Sequence, residues 1–133
     1  MRAAIKEAHL ALDKGEIPIG AVVVAMGQII AKGHNLTQTL TDTTAHAEMQ
    51  AITAASGHLG NKYLNQCILY VTLEPCAMCA GALYWSQMGE VVFGAYEIKH
   101  QHPKTYHPKT KLLGGVLESE CGELLQRFFK TKR

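Results

Sequence analysis

The chain has 133 residues, of which 47% are apolar and 18% are charged, a composition typical of a folded domain and not of a disordered chain. No apolar stretch approaches the roughly 18 residues that a membrane span needs, and the amino terminus lacks the apolar run of a secretory signal. The net charge is only +2, yet residues 99–133 hold eight of the thirteen Lys and Arg and three of the eleven acids. This basic end permits a polyanionic partner without requiring one. We therefore expect a soluble, cytoplasmic protein that does not bind membranes.

Helical and strand-like patterns alternate along the chain. Apolar residues at helical spacing predict helices over residues 5–12, 45–55, 76–87 and a last one whose apolar stripe runs from 121 to 128. Runs of β-branched and other apolar residues predict strands at residues 21–26, 29–31, 67–72, 91–93 and 116–117. We expect Gly15 and Gly57 to end the first two helices, and Gly27-Gln28 to form a hairpin turn between the first two strands.

This alternation predicts a single α/β domain over residues 1–133, with a mixed sheet of about five strands. Residues 96–113 interrupt the pattern with a near-tandem repeat, His102-Pro103-Lys104-Thr105 and His107-Pro108-Lys109-Thr110. Two prolines five residues apart exclude a helix, so we expect an extended loop there. The histidines of this segment alternate with Pro and Lys, which favours a solvated loop over a second metal site; they are His100, His102 and His107.

The strongest chemical signal is Pro75-Cys76-Ala77-Met78-Cys79 at the predicted start of the third helix. The spacing of Cys76 and Cys79 places both sulfurs on one face, and the unpaired amides of a helix start favour thiolates. Two convergent thiolates are half of a zinc site. His46, also at a predicted helix start, is the best third ligand. Three protein ligands leave the fourth position for water, as in catalytic zinc sites.

Glu48 is the candidate proton shuttle for such a site. Zinc lowers the pKa of its bound water from about 15.7 toward about 7, which supplies hydroxide at neutral pH, but a proton acceptor is needed nearby. Inside a regular helix, side chains two residues apart diverge by about 200°. Glu48 can therefore share a site with His46 only if His46 stands in the first turn, where the backbone is not yet helical.

Two other interpretations of the cysteine pair remain open at this point. A Cys-x-x-Cys at a helix start after a strand also fits a thioredoxin-like redox pair, although that explains neither His46 nor Glu48. A closed structural zinc site would need a fourth ligand, for which the candidates are His34, His58, Cys67 and Cys121. Cys67 lies in an apolar strand and Cys121 on an apolar helix stripe, so we expect both to be core residues.

His46-Ala47-Glu48 followed by Pro75-Cys76-Ala77-Met78-Cys79 resembles the signature of the zinc-dependent cytidine deaminase superfamily. Within the superfamily, the chain is most similar to the bacterial tRNA-specific adenosine deaminases. The likeness is carried by residues 15–21, 44–49, 69–82 and 92–95, with Glu120-Cys121 and Phe128-Phe129 near the end. The resemblance implies a three-layer α/β/α cytidine deaminase-like domain with one zinc ion per chain, held by His46, Cys76 and Cys79.

The activity that the resemblance implies is hydrolytic deamination of the wobble adenosine of a tRNA anticodon to inosine. Glu48 would carry protons to the departing ammonia, and the enzyme would be a homodimer that contacts the anticodon stem-loop across both subunits. Asn35 and the backbone amide of Ala47 would contact the base. A turn residue is the alternative interpretation of Asn35.

Phe129 is a further candidate contact, on the rim of the last helix. It stands among Arg127, Lys130, Lys132 and Arg133. An aromatic ring flanked by cations is suited to stacking on an unpaired base and holding phosphate, whereas the alternative is an edge packing residue beside a solvated basic terminus. Tyr84 and Trp85 are expected to serve core or dimer packing.

The chain departs from the family pattern between Ala95 and Gly114. Family members usually carry Asp-x-Lys and a Gly- and Ser-rich loop there, of which only Lys99 is kept, with Glu97 as a stand-in for the acid. Because this part of the family serves substrate recognition, a second hypothesis keeps the zinc chemistry but takes a free base or nucleoside such as guanine, cytosine or adenine. A third is a non-catalytic RNA-binding or redox protein that retains the fold.

Overall fold

The computed structural model describes residues 1–99 and 102–132. Its helices are α1 (Arg2–Asp13), α2 (Ala47–Leu59), α3 (Ala77–Trp85) and α4 (Glu118–Thr131). Its strands are β1 (Gly20–Ala25), β2 (Gln28–His34), β3 (Cys67–Leu73), β4 (Glu90–Ala95) and β5 (Lys111–Leu113). Within the described ranges, no helix has the length and apolar character needed to cross a bilayer. His100 and Arg133, which the sequence analysis mentions, lie outside the described residues.

The five strands form one mixed sheet in the order β2-β1-β3-β4-β5. The β1 strand pairs antiparallel with both β2 and β3, whereas β4 runs parallel to β3 and to β5. The predicted fold class, a three-layer α/β/α domain with about five strands, is confirmed.

Glycines show how the helices pack on the two faces of the sheet. A side chain on Gly20 would collide with α1 at Ala4, and one on Gly33 would come within 2.6 Å of the Ala47 carbonyl oxygen of α2. A side chain on Gly94 would likewise collide with Cys121 of α4, since its Cβ would lie 2.4 Å from the Cys121 sulfur. Because Gly20 and Gly94 mark the face opposite to Gly33, α1 and α4 cover one face, and α2 packs on the other with α3.

Three predicted boundaries are wrong. The hairpin turn is Met26-Gly27 rather than Gly27-Gln28: both turn residues have positive φ, and the Met26 side chain is fully solvated. The second helix passes through Gly57 and ends at Leu59, because Gly57 lies on an exposed face and the left-handed cap is Gly60. Glycine at an exposed helix position only weakens a helix by about 1 kcal/mol.

The fifth strand is Lys111–Leu113 and not Val116-Leu117. Lys111 donates its amide to the Gly89 carbonyl, which docks β5 as the edge strand, and all three of its side chains are exposed. After it, the chain turns at Gly115, which has a φ of 84°, so that Leu117 becomes the residue preceding α4. An edge strand with two solvated faces carries no apolar alternation, so the prediction missed it. Where described, the rest of residues 96–113 contains no helix or strand, and the absence of a helix agrees with the prediction.

Candidate metal centre and active site

The two helices on the α2–α3 face begin with residues that carry chemistry. His46 and Cys76 are the N-caps of α2 and α3, and both have extended backbone, with ψ of 158° and 175°. Neither side chain caps its own helix by a hydrogen bond. His46 therefore stands just before the helical backbone, which confirms the condition under which Glu48, in the first turn of α2, can share its site.

Three potential ligand atoms converge at these helix starts. Nδ1 of His46 lies 3.6 Å from Sγ of Cys76 and 3.6 Å from Sγ of Cys79, and the three ligand atoms all fall within 4.8 Å of one another. A sulfur and a nitrogen bound tetrahedrally to zinc at about 2.3 and 2.1 Å would stand about 3.6 Å apart. One imidazole and two sulfurs are also the donor set that zinc prefers. The residues therefore fit a zinc ion.

The protonation behaviour of the two cysteine sulfurs favours binding of a cation. Hydrogen bonding with Cys79 and then with His46 lowers the pKa of Cys76 far below that of a free thiol, so one sulfur is readily a thiolate. The hydrogen bond with Cys76 and, second, burial raise the pKa of Cys79, so without a cation this sulfur keeps its proton beside the Cys76 thiolate. A bound divalent cation would stabilise both sulfurs as thiolates. The backbone of Thr43 also hydrogen-bonds the imidazole, the kind of outer contact that orients a metal-binding histidine.

Glu48 is buried beside the ligands, with 4% of its surface exposed. Burial raises the pKa of its carboxyl to about 7, although its own backbone amide and His46 act in the opposite direction. A carboxyl whose pKa lies near neutrality can both accept and release a proton. Its position and protonation behaviour are those required of a proton shuttle.

The candidates for a fourth ligand lie elsewhere. His34 hydrogen-bonds Glu7 at 3.1 Å, and His58 is exposed at the far end of α2. Cys67 and Cys121 are buried apolar residues of β3 and α4, as predicted. Among the described residues, the metal-binding group consists of His46, Cys76 and Cys79 alone. This three-residue set leaves room for a non-protein ligand, as a catalytic site requires.

A cavity of about 790 Å³ opens beside this centre. His46, Glu48 and Cys76, which are buried or half-buried, line this cavity together with the exposed residues Lys99 and Phe129, which we call its rim. The Lys99 ammonium stands 4.8 Å from the centre of the Phe129 ring, which is 38% exposed. Phe129 therefore lines the same cavity as His46, Glu48 and Cys76. A second cavity, about 660 Å³, lies at the opposite end of β3 and β4, far from the ligands.

Asn35 and Ala47 are placed differently from Phe129. Both are buried, and neither contributes to the described lining of the larger cavity. Oδ1 of Asn35 accepts a hydrogen bond of 3.4 Å from the Thr37 amide, which is the turn interaction weighed as its alternative role. The Ala47 amide lies at the start of α2, directly between His46 and Glu48.

One residue near the site, Glu74, was given no role in the sequence-based prediction. Glu74, directly before Pro75, accepts a hydrogen bond from the Glu97 amide at 3.0 Å and pairs with Lys104 at 3.1 Å. It thereby ties the metal-binding loop to two parts of the segment that departs from the family pattern. The glutamate stands within the recognised motif, but its partners lie more than twenty residues away and no local pattern connects them.

The fold and the site together define a metal-dependent enzyme of the open, three-ligand zinc class. Residues 1–95 match the family model described as the cytidine and deoxycytidylate deaminase zinc-binding region, and the chain belongs to that family. It is accordingly a zinc-dependent hydrolytic deaminase.

Among its relatives, the chain is 46% identical to the tRNA-specific adenosine deaminase of Bacillus subtilis, over all of this chain and 88% of that protein. A solved structure from a study of A-to-I editing by tRNA:A34 deaminases superposes with a TM-score of 0.87 at 38% identity, covering 94% of this chain and 97% of that one. A guanine deaminase structure from Bacillus subtilis is 44% identical, but over 71% of this chain and 61% of that one, with a TM-score of 0.68.

Proposed function

We propose that this enzyme hydrolyses the 6-amino group of adenosine 34, the wobble position of a tRNA anticodon. Water and adenosine react to give inosine and ammonia. The observation that carries the proposal is the full-length similarity to enzymes named for this reaction, whereas the similarity to the guanine deaminase covers less of either chain. The cavity supports it, because an aromatic ring and a cation, 4.8 Å apart, line the same cavity as His46, Glu48 and Cys76.

Each residue of the centre has a distinct part in this reaction. His46, Cys76 and Cys79 hold the zinc ion, which supplies an acidified water at neutral pH when it is bound. Glu48 takes a proton from the attacking water and delivers it to the departing amine, because it is the buried carboxyl beside the ligands. Although neither lines the described cavity, we include in the proposal that Asn35 and the Ala47 amide, next to His46 in the chain, contact the base.

The rim binds RNA in this proposal. Phe129 stacks on an unpaired base, while Lys99 and the other cations of the basic end neutralise phosphates. Lys130 and Arg127 line the same cavity, so cations that could neutralise phosphates lie near the ring, although Glu123, which pairs with Arg127, lines the cavity too. A free base would use the metal end of the cavity but gain little from this rim.

An exposed apolar surface supports the assembly that we propose. Trp85 is 78% exposed at the end of α3, and Met78 of the same helix is also exposed. Contiguous exposed apolar patches indicate interaction sites, and Met78 and Trp85, about two turns apart, lie on the same face of α3. We include in the proposal that the single 133-residue domain forms a homodimer and works in the cytoplasm, where its tRNA substrate is found.

The test compares substrates directly. Purified zinc-loaded enzyme is incubated with an anticodon stem-loop that carries a wobble adenosine, with the same stem-loop carrying adenosine only elsewhere, and with free adenosine, adenine, cytosine and guanine. Inosine at the wobble position alone is the expected result. Ammonia released only from a free base, with guanine foremost, would overturn the proposal in favour of the second hypothesis.

Salt provides a second discrimination. Binding of the stem-loop should weaken as salt rises, because bound phosphates displace counterions, whereas a neutral base in a pocket should respond little. An apparent KM for the stem-loop that stayed constant between 50 and 200 mM salt (about the range in which such contacts are lost) would contradict the role of the basic rim.

A further inference from the structure

The two copies of the His-Pro-Lys-Thr repeat differ in their surroundings. In the first copy, the Lys104 side chain is only 13% exposed, and its ammonium lies 3.1 Å from Oε2 of Glu74. Lys109 holds the same place in the second copy, but it is exposed and lines the second cavity, far from the metal ligands. A lysine is rarely buried unless an acid compensates its charge. The buried position of Lys104 therefore depends on Glu74.

Glu74 has a second partner, on the wall of the larger cavity. Its Oε1 accepts a hydrogen bond of 3.0 Å from the Glu97 amide, so its two carboxylate oxygens hold two different parts of the chain. The carboxylate of Glu97 in turn accepts a hydrogen bond of 2.6 Å from the Lys99 amide. Residues 95–99 all line the larger cavity, and we call them the wall segment. Hydrogen bonds thus run from Glu74 through Glu97 to Lys99, whose side chain forms part of the rim.

The backbone of Glu74 is fixed relative to the metal ligands. Glu74 directly follows β3, and its amide donates a hydrogen bond of 2.8 Å to the Ala95 carbonyl. Only Pro75 separates it from the ligand Cys76. A proline restricts its own backbone and that of the residue before it. The Glu74 carboxylate is therefore well placed to fix the wall segment relative to the metal centre.

We infer that Glu74 is a positioning residue, whose carboxylate, paired with Lys104, holds the wall segment in the place relative to the metal centre that substrate binding requires. Among the described residues, the hydrogen-bonding and ion-pair partners of the Glu74 side chain are Glu97 and Lys104, so the pair acts on substrate affinity and not on the chemical step. Without Lys104, the carboxylate would turn toward water to be solvated and would release the Glu97 amide. The inference rests on the proposed function only for the identity of the substrate.

The experiment compares Lys104→Met with Lys109→Met in the full-length, zinc-loaded protein. Both variants remove a lysine charge from the same tetrapeptide, so Lys109→Met measures the effect of charge loss alone. We expect the KM for the anticodon stem-loop to rise about tenfold more in Lys104→Met than in Lys109→Met, with kcat and zinc content as in the parent. Amide hydrogen exchange in residues 96–99 should accelerate in Lys104→Met only, because the Glu97 amide loses its acceptor.

A double-mutant cycle assigns this effect to the contact with Glu74. Glu74→Gln removes the charge that pairs with Lys104 but keeps an oxygen that can accept from the Glu97 amide. Because the two side chains act through one contact, Glu74→Gln combined with Lys104→Met should raise KM no further than Lys104→Met alone. Additive effects would contradict the inference. Lys104→Arg keeps a cation opposite the carboxylate and should recover a KM close to that of the parent.

The activity of the parent separates this inference from the proposed function. A parent that deaminates a free base but not the stem-loop would overturn the proposed function, and the KM values of the variants are then compared on that base. Equal KM values for Lys104→Met and Lys109→Met would overturn the inference, as would a fall in kcat with loss of zinc in Lys104→Met. Should Glu74→Gln fail to fold, the two lysine variants still decide.

Discussion

Residues 1–95 and residues 96–132 divide the work of this enzyme unequally. The first region holds the whole metal centre and matches the deaminase family model, and each of its chemical residues stands at a helix start. The second region supplies the cavity rim at Lys99 and Phe129 and the pairing of Lys104 with Glu74. The chemistry therefore depends on short motifs, whereas access to it depends on long-range contacts.

Because the two regions have different parts, substitutions in them should have different effects. A substitution at the ligands or at Glu48 should stop the reaction for any substrate. A substitution at the rim should instead distinguish RNA from a small substrate. The predictions below test this division, beginning with the largest expected effect.

Cys79→Ala removes one of three ligands and a buried thiolate. We expect bound zinc to fall from one ion per chain to near zero and deamination to become undetectable, because two ligands do not hold the ion. Metal analysis after dialysis measures the first effect and ammonia release the second. Cys67→Ser changes a buried cysteine outside the centre and should keep its zinc; equal zinc loss in both variants would argue that general unfolding is the cause.

Glu48→Gln keeps the shape of the side chain but removes its proton-carrying capacity. General acid–base groups contribute about 10²- to 10⁴-fold, so kcat should fall by that factor for every substrate while zinc content stays at one per chain. Single-turnover kinetics and metal analysis check this. Glu118→Gln on the exposed first turn of α4 is the control. Persistent activity in Glu48→Gln would assign the proton transfer to another group.

Phe129→Ala removes the ring at the rim. Stacking on a base contributes about 1–3 kcal/mol, so the KM for the anticodon stem-loop should rise about 5- to 150-fold, with little change in metal content. Tyr63→Ala is a matched control, since Tyr63 is similarly exposed and also lies beneath a lysine, at 5.2 Å from Lys62. If the two substitutions weakened RNA binding equally, the cavity rim formed by residues 96–132 would have no specific part in binding RNA.

Glu16→Gln probes the scaffold of the first region. Glu16 is fully buried and accepts hydrogen bonds from the Thr39 amide and hydroxyl, both at 2.6 Å, and from the Gln38 amide at 3.1 Å. Glutamine replaces one of the two acceptor oxygens by an NH₂ group, which would face a hydrogen-bond donor with another donor. We expect unfolding by denaturant to show a loss of about 1–3 kcal/mol, with kcat nearly unchanged in the folded fraction.

The pH dependence of that loss follows from the same contacts. Burial alone would raise the pKa of Glu16, but the hydrogen bonds outweigh it and hold the pKa below its ordinary value of 4.5. The stabilisation by the carboxylate is therefore complete above about pH 4.5 and disappears as the pH falls through the lowered folded-state pKa. The difference in stability between the parent and Glu16→Gln should shrink in that acidic range; a constant difference would contradict the account.

The sequence alone was sufficient for most of the first region. His46, Glu48, Cys76 and Cys79 could be found because zinc chemistry demands these residue types at helix starts, and short spacing reveals them. The strand β5 could not be found, since a solvated edge strand carries no apolar alternation. The Lys104–Glu74 pair was missed for another reason, since thirty residues of chain separate its partners and no local pattern connects them.

The two helix starts that carry His46 and Cys76 have a further consequence. A Ser, Asp or Asn at such a position would cap its helix and stabilise it by about 1 kcal/mol, and neither ligand does so. A zinc ion bound by His46, Cys76 and Cys79 would join the starts of these two helices at a single point. In a zinc-starved cell, the enzyme would therefore lose not only turnover but also the rigidity of these two turns, which would open them to proteases.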